Sequence, residues 1–145
     1  RLDRTLGGRP ANEILESKRR TLYGTVSRNG DRFRSDKFRR TFDFPAARST
    51  SAGRTTSTVP QQYLFMMNSS FMGDCAAALA TQLEQGSSSP NARIKLAYRT
   101  VFQREPDAFE MRIALTFLTG EKQGREKLEL LAQNLLSSEE FRYAE

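Results

Sequence analysis

The chain has 145 residues, a length that suits one domain and is enough to bury a hydrophobic core. It carries a net charge of +6, has one cysteine and has no histidine. This composition excludes an internal disulfide, a Cys/His zinc site, a Cys-x-x-Cys-His haem attachment, and hydrolysis by a serine or cysteine that needs a histidine base. No apolar stretch approaches the roughly 20 residues that a membrane-spanning helix requires.

The first 34 residues predict mostly irregular structure. Gly7-Gly8 and Pro10 interrupt regular elements near the start. Residues 21–26 are rich in β-formers and predict one short strand or extended segment, with Gly24 weakening the strand. Asn29-Gly30-Asp31 then predicts a turn.

A short helix is predicted next. Ser35 or Asp36 can cap it, and it runs to about Phe42. Phe38 and Phe42 are four residues apart, so they lie on one face and are typical of a core-facing pair. Residues 46–58 show no periodicity and predict a loop that is long for a compact domain.

The second part of the chain predicts helices throughout, because apolar residues recur at spacings of three and four. The predicted helices are 60–68, 70–85, 91–103, 106–119 and 124–137. In helix 106–119, Phe109, Ile113 and Phe117 form the main apolar stripe, with Met111, Leu115 and Leu118 filling in. Amphipathic helices joined by short loops pack as neighbours and share a core. The sequence thus predicts a mainly α fold, a helical bundle of about five helices with an irregular N-terminal part that contains at most a short strand.

Positive charge is concentrated in the first part of the chain. Residues 1–54 contain 14 Lys and Arg against 6 Asp and Glu, whereas residues 55–145 contain 9 against 11. We therefore divide the chain into a basic, partly irregular part (1–54) and a helical core (55–145). The excess charge attracts an acidic partner, which is nucleic acid, an anionic glycan, a membrane surface or another protein lobe. The simpler alternative is a set of solvated surface side chains.

Several stretches of the chain match a known domain in order. They are Arg4-Thr5-Leu6-Gly7-Gly8, Arg19-Arg20-Thr21-Leu22-Tyr23, Phe42-Asp43-Phe44-Pro45, residues 55–62 (TTSTVPQQ) leading into Met67-Asn68-Ser69-Ser70-Phe71, and residues 135–141 (LLSSEEF). Together they resemble the C-terminal domain of unknown function of planctomycete cytochrome-c-like proteins, over essentially the whole chain. Residues 42–71 are the most specific part. Gln61-Gln62 departs from the Pro-Gln that is common in relatives, which affects only the geometry of that loop.

The resemblance implies an architecture and no reaction. It places a cytochrome-c-like region first, a second uncharacterised domain next and this module last, in a large exported protein. The chain, which starts at Arg1, is then expected to be the C-terminal portion of one larger domain in an extracytoplasmic (periplasmic or cell-surface) protein. Haem is expected only in the upstream part of that parent, and no cofactor is expected in this segment. No catalytic or ligand residue carries over.

Two groups of reactive side chains have ordinary structural explanations. Cys75 lies on an apolar helical stripe, where a free cysteine usually packs into the core. The carboxylate pairs are Glu13/Glu16, Glu105/Asp107 and Glu139/Glu140. They are too close along the chain to face each other across a cleft, as glycosidase chemistry requires. Glu105 and Asp107 are better explained as favourable charges at a helix N-terminus.

Arginines interleaved with phenylalanines are the strongest functional lead. The candidate contact residues are Arg19, Arg20, Arg28, Arg32, Arg34, Arg39, Arg40 and Arg54. Guanidinium groups bind phosphate, sulfate and carboxylate in a bidentate manner, and aromatic rings stack on bases or sugars.

Three hypotheses for the function follow from this lead. The first is a non-catalytic structural or interaction module that docks on the upstream domains of the same polypeptide. The second is a binding module for an acidic or sulfated polysaccharide, with nucleic acid the less expected polyanion. The third is an enzyme whose site another domain completes. The composition argues against a catalytic role for this segment alone.

Overall fold

The computed structural model describes residues 3–28, 32–48, 50–53, 57, 59–120 and 124–143. A short 3₁₀ turn, Thr21–Tyr23, precedes the α-helices. The helices are α1 (Arg34–Thr41), α2 (Pro60–Asn68), α3 (Ser70–Gly86), α4 (Pro90–Phe102), α5 (Ala108–Thr119), α6 (Arg125–Ser137) and α7 (Glu139–Arg142). Helical residues, with the 3₁₀ turn included, make up 61% of the described residues, which contain no strand or sheet, so the mainly α prediction is confirmed.

The chain divides into two compact units. The N-terminal unit is Arg1–Gln62 and the C-terminal unit is Tyr63–Glu145, so the division falls within α2, later than the predicted 54/55 boundary. Residues 55–62 carry no charged side chain. The N-terminal unit therefore holds the same 14 Lys and Arg against 6 Asp and Glu, and the whole positive excess belongs to it.

In the N-terminal unit, residues 21–26 form no strand, so the strand alternative predicted for this segment is wrong. Residues 21–23 form the 3₁₀ turn, which two backbone hydrogen bonds of 3.0 Å close. Only an isolated bridge joins Gly24 to Ala11. The side chain of Arg39 takes three carbonyl groups of this segment as hydrogen-bond acceptors. Thr21 O also accepts the Gly24 N–H, and Thr25 O also accepts the Ser35 hydroxyl, so both lone pairs of these two carbonyl groups are used within the unit.

The buried face of α1 is polar. Ser35, Asp36 and Arg39 are its buried residues. Phe38 and Phe42 are only half-buried and pack against each other, with ring centres 5.0 Å apart. The two rings lie together on one helix face, as predicted, and neither is fully buried. The helix instead presents its polar side to the backbone of the preceding segment, whose carbonyl and amide groups need partners.

Asp43 links the end of α1 to the beginning of α2. It adopts a left-handed backbone conformation with φ of 60° directly after the helix. Its carboxylate accepts the Ser57 amide N–H at 2.7 Å and the Ser57 hydroxyl at 2.5 Å, and the Gln62 side-chain amide lies 3.5 Å away. The side chain of Asp43 therefore closes the long loop between the two helices.

In the C-terminal unit, α3 to α6 share one hydrophobic core. The most extensive contact is between α3 and α6, and α4 packs on both α3 and α5. The buried core residues are Ala76, Leu79, Ala80, Leu83, Ile94, Ala97, Tyr98, Ala114, Leu128, Leu131, Ala132 and Leu135. The prediction that neighbouring amphipathic helices share a core is confirmed.

Capping residues explain where these helices begin. The Ser69 hydroxyl accepts the Met72 N–H at the start of α3. Pro90 is the first residue of α4, where its missing N–H costs nothing. Asp107 and Glu110 each accept the other's backbone N–H at 2.7 Å, which forms a capping box on α5. The predicted role of Asp107 at a helix N-terminus is confirmed.

Helix α5 faces the core with a different side from the predicted one. Ala114 is buried in the core, and Met111, Leu115 and Leu118 pack partly buried against it. Phe109, Ile113 and Phe117 are exposed, so their assignment as the main core stripe is wrong. The small side chain of Ala114 lets the helix backbone approach its neighbours, and the flexible aliphatic side chains fill the remaining space.

Candidate anion-binding pocket

The N-terminal unit contains a pocket of about 120 Å³ between residues 26–28, helix α1 and residues 44–48. Its charged lining residues are Arg28, Asp36, Arg39, Arg40 and Arg48. Four arginines against one aspartate give this lining a balance of +3. We call it the arginine pocket.

Arg39 is the buried member of the arginine pocket and is held by backbone carbonyls. Its side chain donates to Thr25 O at 2.8 Å, and to Thr21 O and Gly24 O at 2.6 Å each. The guanidinium also lies 5.5 Å from the centre of the Phe44 ring. Arg39 therefore fixes the pocket wall and contributes its charge, while most of its donors are used within the unit.

Asp36 positions the segment that carries Arg28. One oxygen of the Asp36 carboxylate accepts the Ser27 N–H and the other accepts the Phe33 N–H, both at 3.1 Å. These bonds hold residues 26–28 beside the first turn of α1. Because two backbone N–H dipoles already compensate this carboxylate, the arginines dominate the electrostatics of the pocket.

The remaining arginines of the pocket are exposed and suit an anionic group. Arg28, Arg40 and Arg48 are solvent-accessible, and the Phe44 ring beside them is 46% exposed. The pocket of about 120 Å³ has room for a small anionic group such as a carboxylate or a sulfate. Guanidinium groups bind both of these in a bidentate manner.

The chain is similar to a known family over most of its length. The model of the PSD1 family, described as a protein of unknown function (DUF1553), matches residues 3–118. The chain belongs to this family. The PSD1 match includes the whole arginine pocket and ends within α5, so α6 and α7 lie beyond it. No curated protein and no solved structure matches the chain.

Three of the eight arginine candidates meet in the pocket of this PSD1 chain. They are Arg28, Arg39 and Arg40. Arg34 lies apart and pairs with Glu16 at 3.2 Å. Arg20 and Arg32 are exposed outside the pocket lining, and Arg54 lies outside the described residues.

Arg19 joins two of the sequence stretches that are shared with the resembled domain. Its guanidinium donates to the carbonyl groups of Arg9, Thr5 and Gly7, and it lies 3.9 Å from the centre of the Tyr23 ring. The glycine-rich segment near the start of the chain is thereby held against the Arg-Arg-Thr-Leu-Tyr segment. Arg19 therefore has a structural role in this chain.

Sequence reasoning missed Arg48 as a pocket residue. It lies in the loop without periodicity that follows Phe44-Pro45, so no helical or strand register placed it. The one available signal is the motif itself: Pro45 lies four residues after the end of α1, and Arg48 follows it within three residues. The PSD1 match also covers this segment.

The carboxylate pairs do not assemble a paired acid site. Glu105 pairs with Arg99. Arg104 donates to both oxygens of Glu110 and to both oxygens of Glu140, at 2.7 to 2.8 Å. These hydrogen bonds from Arg104 lower the pKa of both carboxyls. Among the residues that the structure describes, no three His, Cys, Asp or Glu side chains cluster as metal ligands.

Cys75 is half-buried, and burial, with a smaller contribution from the Asp74 charge, raises the pKa of its thiol.

In the described part of the chain, no helix is both long enough and apolar enough to cross a membrane.

Proposed function

We propose that this PSD1 chain is a non-catalytic interaction module whose basic N-terminal unit docks on acidic groups of the upstream domains of the same polypeptide. The observation that carries the proposal is the arginine pocket, where four arginines and one aspartate surround a space for one anionic group. A glutamate or aspartate side chain of the upstream domains fits this chemistry, because an arginine binds a carboxylate in a bidentate manner.

The proposed context is a large exported parent protein. The resemblance to the C-terminal domain of planctomycete cytochrome-c-like proteins supports an extracytoplasmic location, with this module last in the chain. In that arrangement haem belongs to the upstream cytochrome-c-like region, and this segment carries no cofactor of its own. Arginine suits an interface between domains, since its planar, weakly hydrated guanidinium tolerates partial desolvation better than an ammonium group does.

The test is a titration of this chain against the separately expressed upstream remainder of its parent, at low and high salt. The double variant Arg40→Gln/Arg48→Gln removes two pocket charges. Lys95→Gln/Arg99→Gln removes two charges from exposed positions on α4 and serves as the charge-matched control. We expect the pocket variant to raise the dissociation constant by about tenfold or more and the control to leave it within about twofold. Equal effects of the two variants would count against the pocket.

A second candidate is the binding of an acidic or sulfated polysaccharide. The observation that favours it is the exposed Phe44 ring beside the arginines, since a ring face packs on a sugar while the guanidinium groups bind its carboxylate or sulfate. Dextran sulfate and polygalacturonate are the probes, with neutral dextran as the control. This candidate requires that binding weakens steeply with salt and that Phe44→Ala weakens it further. Binding that is insensitive to both changes would exclude it.

A further inference from the structure

Helix α5 carries an exposed apolar stripe on the side that faces away from the core. Phe109, Ile113 and Phe117 are 61%, 53% and 37% exposed. Their spacing of four residues places them one above the other on a single helix face. The stripe extends about 12 Å along the helix at 1.5 Å per residue. We call these three residues the α5 stripe.

The α5 stripe is not needed to attach α5 to the bundle. The opposite side of the helix supplies Ala114 to the core, and Met111, Leu115 and Leu118 pack against that core. Asp107 and Glu110 cap the start of the helix. The buried contacts of α5 with the core are therefore made by residues outside the stripe.

A cation lies beside each end of the α5 stripe. The guanidinium carbon of Arg112 is 5.4 Å from the centre of the Phe109 ring, and Lys127 Nζ is 5.5 Å from the centre of the Phe117 ring. Lys127 Nζ also donates to Phe117 O at 2.8 Å. Neither cation forms an ion pair with a residue that the structure describes.

Carboxylates of the C-terminal unit are engaged by other arginines. Glu105 pairs with Arg99, while Arg104 holds two further glutamates. Arg125 pairs with Glu84 and Glu129. The unit has 9 Lys and Arg against 11 Asp and Glu, yet a cation lies beside each of the two rings of the stripe.

We propose that the α5 stripe docks an amphipathic helix of a partner, one that has acidic residues along the edges of its apolar face. Three apolar side chains on one helix face are the kind of anchor that helix-in-groove recognition uses. Arg112 and Lys127 then meet the acidic edges, which fixes the choice and the orientation of the partner. This surface is separate from the arginine pocket, and the proposal does not depend on the function of that pocket.

Charge argues against a second copy of the chain as the occupant. Two stripes packed face to face would bring Arg112 and Lys127 of both copies to the same interface. Like charges at an interface oppose association. An acidic partner is attracted by the same two cations.

The test uses the full chain and two synthetic peptides of about 15 residues, long enough for four helical turns. The acidic peptide has leucines at helical spacing and glutamates on both edges, and the basic peptide has lysines in place of those glutamates. Binding is followed by fluorescence anisotropy of labelled peptide at low and high salt. We expect the acidic peptide to bind at least about tenfold more tightly than the basic one, and to bind more weakly at high salt.

Variants locate the binding on the chain. Ile113→Gln should weaken binding of the acidic peptide by about tenfold, and Arg112→Gln/Lys127→Gln should abolish the preference for the acidic peptide. The matched control is Leu130→Gln, at a residue of α6 that is 44% exposed, which should leave binding unchanged. Circular dichroism checks that each variant keeps its helix content.

Three results would overturn the proposal. The first is equal binding of both peptides or binding of neither. The second is an effect of Leu130→Gln as large as that of Ile113→Gln. The third is a dimer in sedimentation experiments that Ile113→Gln dissociates, because the stripe would then be an interface between two copies of this chain.

Discussion

The guanidinium of Arg39 lies so close to the backbone of Gly24 that a side chain at this position would have to displace it. Arg39 Nη2 lies 2.6 Å from Gly24 O, and a Cβ at Gly24 would lie 2.6 Å from the same nitrogen. Gly24 has a φ of −73°, which any residue adopts. The glycine is therefore needed for space and not for backbone freedom.

Gly24→Ala should destabilise the N-terminal unit by about 2 kcal/mol, because it displaces a buried guanidinium from the carbonyl groups that it satisfies. Hydrogen exchange followed by mass spectrometry measures this directly. We expect amides in residues 20–28 to exchange about 30-fold faster, since every 1.4 kcal/mol is a factor of ten.

Gly53→Ala is the control for this substitution. A Cβ at Gly53 meets no atom within 4 Å, so the exchange of residues 20–28 should not change. Equal exchange rates in Gly24→Ala and the unsubstituted chain would contradict the role that we assign to the Arg39 contact.

The helices of the second part were predictable because their signals are local. Apolar residues at spacings of three and four, a proline at the first position of α4 and an aspartate before α5 each act within one or two turns. The orientation of α5 was not predictable in the same way. Both of its sides are apolar, and only packing around Ala114 decides which side is buried.

The N-terminal unit was harder to predict because its buried groups are polar. Periodicity identifies buried faces by their apolar residues, whereas α1 buries Ser35, Asp36 and Arg39. The partners of Arg39 are backbone carbonyls 14 to 18 residues earlier, which no sequence pattern encodes. For the same reason the sequence indicated an arginine-rich candidate region and did not show which arginines share a pocket.

Asp43→Gly should loosen the loop between α1 and α2. Glycine suits the left-handed backbone at this position, so the substitution keeps the turn and removes the side-chain contacts of Asp43, which include the hydrogen bonds to Ser57 and the contact with Gln62. We expect trypsin to cleave after Arg48 about tenfold faster, as judged by mass spectrometry of the fragments. Asp43→Asn keeps one acceptor oxygen and tolerates the same backbone. Its cleavage rate should therefore lie between that of the unsubstituted chain and that of Asp43→Gly.

Arg104→Gln should reduce the acid sensitivity of the C-terminal unit. Hydrogen bonds from Arg104 lower the folded-state pKa of Glu110 and of Glu140 below the ordinary value of a glutamate. The stability that these ionised carboxylates contribute is fully present when the pH is above their pKa in the unfolded state. It is lost as the pH falls through their lower pKa in the folded state. At about pH 7 the free energy of unfolding of the variant should be about 1–2 kcal/mol lower, a modest loss because solvent screens these partly exposed charges.

Urea unfolding of both proteins at about pH 7 and about pH 3 tests this prediction, because the difference between them should shrink at the lower pH. Arg99→Gln is the control, since the pair of Arg99 with Glu105 is solvent-exposed and should contribute little at either pH. A difference between Arg104→Gln and the unsubstituted chain that is constant with pH would show that Arg104 acts by packing on its aromatic neighbours Tyr98 and Phe102.

Cys75 should react slowly with iodoacetamide at about pH 8, because burial and the neighbouring Asp74 charge raise the pKa of its thiol and reduce the thiolate fraction. Asp74→Asn removes the smaller of these causes and should lower the pH midpoint of the alkylation rate. Far above the midpoint both proteins hold a full thiolate, so their rates should then converge. If limited solvent access alone controlled the reactivity of Cys75, the alkylation rates of the two proteins would have the same pH midpoint.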